Sequence, residues 1–113
     1  MKIKLWIDDV RIPPDETWVW AKNAYEAVGL ILLHEISEVS FDHDLGKPYM
    51  NVQEVTGYDV AKVIEGLAHM NVMARIKWGV HSANPVGRKN IELAMVSAER
   101  FWDCNEYKKN VTL

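Results

Sequence analysis

The chain has 113 residues, about half of them apolar, and a formal net charge of -3. That length fits one domain able to bury a core of its own. The composition excludes a disordered chain, and the charge supplies no broad basic field to hold a long nucleic-acid duplex by its phosphates. A lone cysteine, Cys104, excludes an internal disulfide, and no stretch has the length of a membrane span or the apolar core of a secretory leader. The expectation is a soluble, cytoplasmic protein forming one domain over residues 1–113, with a small phosphorylated ligand or an RNA terminus as partner. Five tryptophans (Trp6, Trp18, Trp20, Trp78 and Trp102) are expected to fill much of its core.

Ile3-Lys4-Leu5-Trp6-Ile7 is a short apolar run that stops at Asp8-Asp9, as a buried strand does. Pro13 and Pro14 then break regular structure, because each fixes φ and removes a donor. Residues 17–21 (TWVWA), β-branched and aromatic, predict a second strand. Asn23 is placed to cap a helix over residues 24 to about 34, with Ala27, Val28, Leu30, Ile31 and Leu32 apolar. Residues 36–41 (ISEVSF) predict a third strand, again ending in acid at Asp42-His43-Asp44. A loop over residues 45–55 carries Gly46, Pro48 and Asn51, and Thr56 opens a helix over residues 57 to about 69. Residues 74–80 predict the fourth strand, which runs into His81-Ser82-Ala83-Asn84-Pro85. The last helix is expected from about residue 86 to 102, followed by a polar tail whose residues 110–113 offer one more short strand.

Strands alternating with helices predict a doubly wound α/β fold, a parallel sheet with helices on both faces. In such sheets ligands bind outside the carboxyl ends of the strands. The first, third and fourth strands each end there in a polar cluster, so topology brings Asp8-Asp9, Asp42-His43-Asp44 and His81-Ser82-Ala83-Asn84 to one edge.

Asp8, Asp9, Asp42 and Asp44 are the candidate metal ligands, since clustered carboxylates suit Mg²⁺ or Mn²⁺ held with several waters; the alternative is that Asp8-Asp9 forms a cap or turn and Asp42-His43-Asp44 a solvated loop. His43 and His81 are candidates for proton transfer around one phosphorus, for ligation of a softer metal, or for ordering a loop. Ser82, Asn84 and Arg88 sit at the turn and first residues of the last helix, where backbone N–H groups attract anions; Arg11 is a further candidate for a phosphate contact or a pair with Asp42 or Asp44. Asn84 is equally suited to cap that helix, with Pro85 at its first position. Trp20 is expected to pack in the core rather than stack on a base.

Four blocks in order, LWIDDVR, SFDHDLG, TGYDV and VHSANPVGR, over about residues 3–95, resemble the cyclic-phosphate processing receiver domains, relatives of the response-regulator receiver fold. The resemblance implies a receiver-like, flavodoxin-type sheet of about four main strands in order 2-1-3-4. It matches Asp8 and Asp9 to a receiver's Mg²⁺-holding acids, Asp42 to the phospho-accepting aspartate and Ser82-Ala83 to the Ser/Thr-Ala dipeptide. The chain departs from an ordinary receiver in lacking the first helix, replaced by IPPDE, and an obvious fifth strand with its lysine. The resemblance also implies the activity expected here: a metal-assisted phosphoesterase acting on a cyclic nucleotide or an RNA 2′,3′-cyclic phosphate end. Asp42, His43 and His81 would be its catalytic residues, and Arg11, Ser82, Asn84 and Arg88 would bind phosphate. The alternative is a module without turnover, either a cyclic-nucleotide sponge or a degenerate receiver that docks a partner.

Overall fold

A computed structural model describes residues 2–46 and 53–111. Its elements run β1 (Ile3–Ile7), β2 (Trp18–Ala21), α1 (Ala24–Leu33), β3 (Ile36–Phe41), α2 (Gly57–His69), β4 (Lys77–Val80) and α3 (Pro85–Val111). The strands form one sheet in the order β2-β1-β3-β4, all parallel, as the receiver resemblance implies.

Alternation along the strands divides the sheet into two unlike faces. Leu5, Ile7, Ala21, Val39 and Phe41 point to one face and are wholly buried. Against them pack Ala24, Ala27 and Ile31 of α1, Val60, Ala61 and Ile64 of α2, and Ile91, Met95 and Ala98 of α3. The register puts Lys4 beside Trp18 and Glu38, and Trp6 beside Trp20 and Ser40, on the other face.

The helices therefore lie in one layer, α1 against α2 and α2 against α3, and not on both faces as the alternating pattern predicts. The reason is the direction of the crossovers. Those from β2 to β3 and from β3 to β4 step the same way across the sheet, so the right-handed turn that such connections take puts both helices on one side. Only the β1–β2 connection steps the other way, and Pro13 and Pro14 keep it from forming a helix. It arches over part of the second face, where Arg11 O accepts from Trp6 Nε1 at 2.9 Å and Thr17 Oγ1 from Lys4 Nζ at 3.0 Å.

Local chemistry sets the helix ends. Asn23 Oδ1 accepts from Glu26 N while Glu26 Oε2 accepts from Lys22 N, each at 2.9 Å, closing the start of α1. At α2, Asp59 Oδ2 accepts from Thr56 N at 2.8 Å. α3 continues nine residues past the expected end at Trp102, through a segment with no glycine or proline to stop it. Asn105 Nδ2 ties that extension to Ala68 O at 2.8 Å, and Arg75 pairs with Asp103 and Glu106. Asn110 and Val111 are thus helical rather than part of a fifth strand, and Thr112 and Leu113 lie outside the described residues, as do Pro48 and Asn51. β4 begins three residues later than expected, at Lys77, which pairs with Glu38 of β3.

The tryptophans divide likewise. Trp102 is buried, its Nε1 donating to Met73 O at 2.8 Å, and Trp78 packs at the edge of the core. Trp6, Trp18 and Trp20 are half-buried on the helix-free face, outside the core they were expected to fill.

Candidate functional site

The backbone ladder runs past the strand ends and holds the three polar clusters in a row. Asp8 N donates to Ala21 O at 3.1 Å, Asp42 N to Ile7 O at 2.9 Å and His81 N to Phe41 O at 2.9 Å. One carboxylate oxygen from each of Asp8, Asp9 and Asp42 lies within 4.8 Å of the others. Asp44, the fourth expected ligand, stands apart from that group and pairs with His43 and Asn84.

Asp8 is the most constrained of the acids, at 1% exposure. Its Oδ1 accepts from the backbone of Val10 and of Arg11, both at 2.8 Å, and its Oδ2 lies 2.9 Å from His81 Nε2. Burial works to raise this carboxyl, but those two N–H groups and His81 outweigh it and hold it below its ordinary range. Asp9 goes the other way: burial and repulsion from Asp8, Asp42 and Asp44 raise it against one backbone hydrogen bond. The trio is a surplus of negative charge with hard oxygen donors, and it fits a divalent cation such as Mg²⁺ or Mn²⁺.

The two site histidines differ. His81 uses both ring nitrogens, Nε2 toward Asp8 and Nδ1 at 2.7 Å from Ser40 Oγ, and its ring stacks on Trp6 with centroids 3.9 Å apart. Burial lowers its pKa despite the Asp8 carboxylate, which favours a neutral ring that donates to Asp8 and accepts from Ser40. His43 pairs only Nδ1, at 2.9 Å from Asp44 Oδ1, and no protein group among the described residues meets its Nε2. Asp44 is lowered first of all by that His43 contact, with help from Asn84, so it stays ionised and fixes the ring's orientation.

Two glycines let the helices reach these residues. A Cβ on Gly57 would lie 1.9 Å from Asp42 O, so only glycine lets the start of α2 press against the acid-bearing turn, where Gly57 N donates to His43 O at 2.9 Å. A Cβ on Gly87 would lie 2.2 Å from the His43 ring, which rests on the first turn of α3.

The expected phosphate binders are dispersed. Asn84 Oδ1 caps α3 through Gly87 N at 2.9 Å, and its amide reaches Asp44 at 3.3 Å, so its polar atoms are already engaged. Ser82 is buried, its hydroxyl accepting from Asn84 N at 3.1 Å and still able to donate. Arg11 Nη1 donates to His81 O at 2.8 Å and pairs with neither Asp42 nor Asp44. Arg88 is exposed and pairs with Glu92 on its own helix at 3.5 Å. Sequence reasoning missed Ser40, Trp6, Gly57 and Gly87. Ser40, two residues before Asp42 and on the same face of its strand, is the one that alternation could have flagged.

A family model for the cyclic-phosphate processing receiver domain matches residues 3–97. No curated protein and no solved structure matches the chain. With strand order, acidic trio and motif blocks in agreement over that span, the chain belongs to the cyclic-phosphate processing receiver domain family.

Proposed function

We propose that the protein is a metal-assisted phosphoesterase that opens a cyclic phosphate on a nucleotide or an RNA end. The observation that carries this is the Asp8, Asp9 and Asp42 cluster, set on strand ends adjoining a histidine with one unpartnered ring nitrogen. The phosphate class follows from the family. A divalent cation on the three carboxylates would offset most of their charge and polarise a phosphoryl group.

His43 is the proton carrier in this reading. With Nδ1–H donated to Asp44, Nε2 is a lone-pair acceptor. It takes a proton from water as the water oxygen bonds to phosphorus, and returns it to the ester oxygen as the P–O ring bond breaks. A cyclic diester and water thus become a phosphomonoester with a free hydroxyl. His81 has no nitrogen to spare and is a positioning residue that orients Asp8. Ser82 Oγ–H and an Arg11 side chain anchored at His81 O would serve as donors to the non-bridging oxygens. Asn84 positions Asp44, and Arg88 is peripheral.

Asp42 favours a second reading, as a phospho-acceptor in a receiver that docks a partner. Its Oδ1 is held by His43 N at 2.8 Å while the other oxygen meets no protein group among the described residues, an orientation compatible with attack on a phosphodonor. Incubation with 2′,3′- and 3′,5′-cyclic nucleotides under Mg²⁺, Mn²⁺ and EDTA separates the readings. Cation-dependent monoester formation supports the esterase. Stoichiometric labelling of Asp42 by acetyl phosphate, without turnover of any cyclic phosphate, supports the receiver and contradicts the esterase.

A further inference from the structure

We propose that the helix-free face of the sheet beside the acidic site is a stacking platform for a nucleobase, with Trp20 as its principal ring. The proposal rests on the phosphoesterase reading and narrows its substrate to cyclic phosphates that carry a base.

Three observations place the platform. The helices cover only the opposite face, and the β1–β2 connection is held at Trp6 and Thr17, so the β2 side keeps half-buried indoles that the core does not use. Next, the indoles are not equivalent. Trp6 is engaged on its face by His81, at its edge by Trp18 and at its N–H by Arg11 O. Trp20 meets no other ring among the described residues; its Nε1 donates to Asp8 O at 2.7 Å, which anchors the ring at the rim of the acidic site. Sheet aromatics held in this way are how several single-strand-binding folds seat bases.

Charge supplies the third observation. The Lys22 ammonium lies 4.6 Å from the Trp20 ring and the Lys4 ammonium 4.4 Å from Trp18. A lysine over a half-buried ring at the surface is a weak contact, and a base stacks on the same π-face more strongly. A base that displaces Lys22 leaves the ammonium beside the ligand, where it offsets phosphate charge that the carboxylates would repel. The occupant this suits is a planar base joined to an anion. An apolar segment of protein would leave both lysines uncompensated.

The test compares two stable monoesters, adenosine 2′-monophosphate and glycerol 2-phosphate, by calorimetry in Mn²⁺ on the full chain, as wild type, Trp20→Leu and Trp20→Phe. The expected result is that the adenosine ligand binds at least about tenfold more tightly, that Leu abolishes the advantage and that Phe keeps most of it, as stacking predicts. Glycerol 2-phosphate should bind all three proteins alike. Equal affinity for both ligands in the wild type overturns the platform and leaves the phosphate site standing, whereas no binding of either removes the site and the platform together. Loss of both ligands in Trp20→Leu marks a structural role and also contradicts it. Sedimentation of the same samples supplies the remaining outcome: a dimer in the wild type that Trp20→Leu dissociates would assign this face to a second copy of the chain.

Discussion

The two faces of one four-stranded sheet are built from alternate residues of the same strands and have opposite characters. On the helix side Leu5, Ile7, Val39 and Phe41 are at 0% exposure and belong to the apolar core cluster. On the other side Trp6, Trp18, Trp20, Ser40 and His81 are half-buried, and each indole is held through an N–H bond, a ring contact or a lysine. The difference shows how connection direction divides labour in a parallel sheet. Both helical crossovers fall on one face and make it the core; the opposite face is left for chemistry at its carboxyl edge.

The largest effect that sharpens the contrast is in stability. Phe41→Ala, in the closed core, should cost about 3–5 kcal/mol, while Trp18→Ala on the open face should cost about 1–2 kcal/mol despite removing a larger side chain. Urea unfolding measures both, and equal losses would contradict the division of faces. Gly57→Ala comes next, at up to about 3 kcal/mol, because its methyl group meets the Asp42 backbone and not a side chain able to turn aside. Gly87→Ala meets the His43 ring at its Cγ, so the whole side chain must swing away from its Asp44 contact; it should cost about 1–3 kcal/mol in stability and sharply reduce hydrolysis. Ser40→Ala removes the partner of His81 Nδ1 and should cost about 1–2 kcal/mol, with turnover reduced through Asp8 placement.

The smallest change carries a sign. A raised Asp9 carboxyl means that the folded chain holds the proton more tightly, so ionised Asp9 costs stability above its pKa and the cost fades as pH falls. Asp9→Asn should therefore stabilise the cation-free protein at pH 7 by about 0.5 kcal/mol or less, since water screens an exposed carboxylate. The gain should shrink below about pH 4, and Mn²⁺ affinity should fall. Thermal melts with and without EDTA report both.

Much of this architecture is legible in the residues themselves. Apolar runs that stop at acids mark β1 and β3, and Asn23 and Thr56 announce their helices. The coincidence of Asp8, Asp9 and Asp42 follows from topology alone, because the neighbouring parallel strands β1 and β3 end together. What alternation of strand and helix does not encode is which face a helix covers. That depends on strand order, so the core position expected for Trp6, Trp18 and Trp20 fails. Nor does local pattern reveal partners distant in sequence. Arg75 with Asp103 and Glu106, and Asn105 with Ala68, help extend α3 through a polar segment with only a weak helical stripe. The same blindness hides Ser40, whose role exists only once His81 folds back over β3.

The most direct test of the central claim is ³¹P NMR of a 2′,3′-cyclic nucleotide incubated with Mn²⁺ and either the wild-type chain or His43→Ala. The expected result is a monoester resonance that grows with the wild type, vanishes under EDTA and forms about a hundredfold or more slowly with His43→Ala, the range for a lost general base. Equal rates for the two proteins would contradict the proton-carrier role of His43, and no monoester with either would contradict the esterase itself.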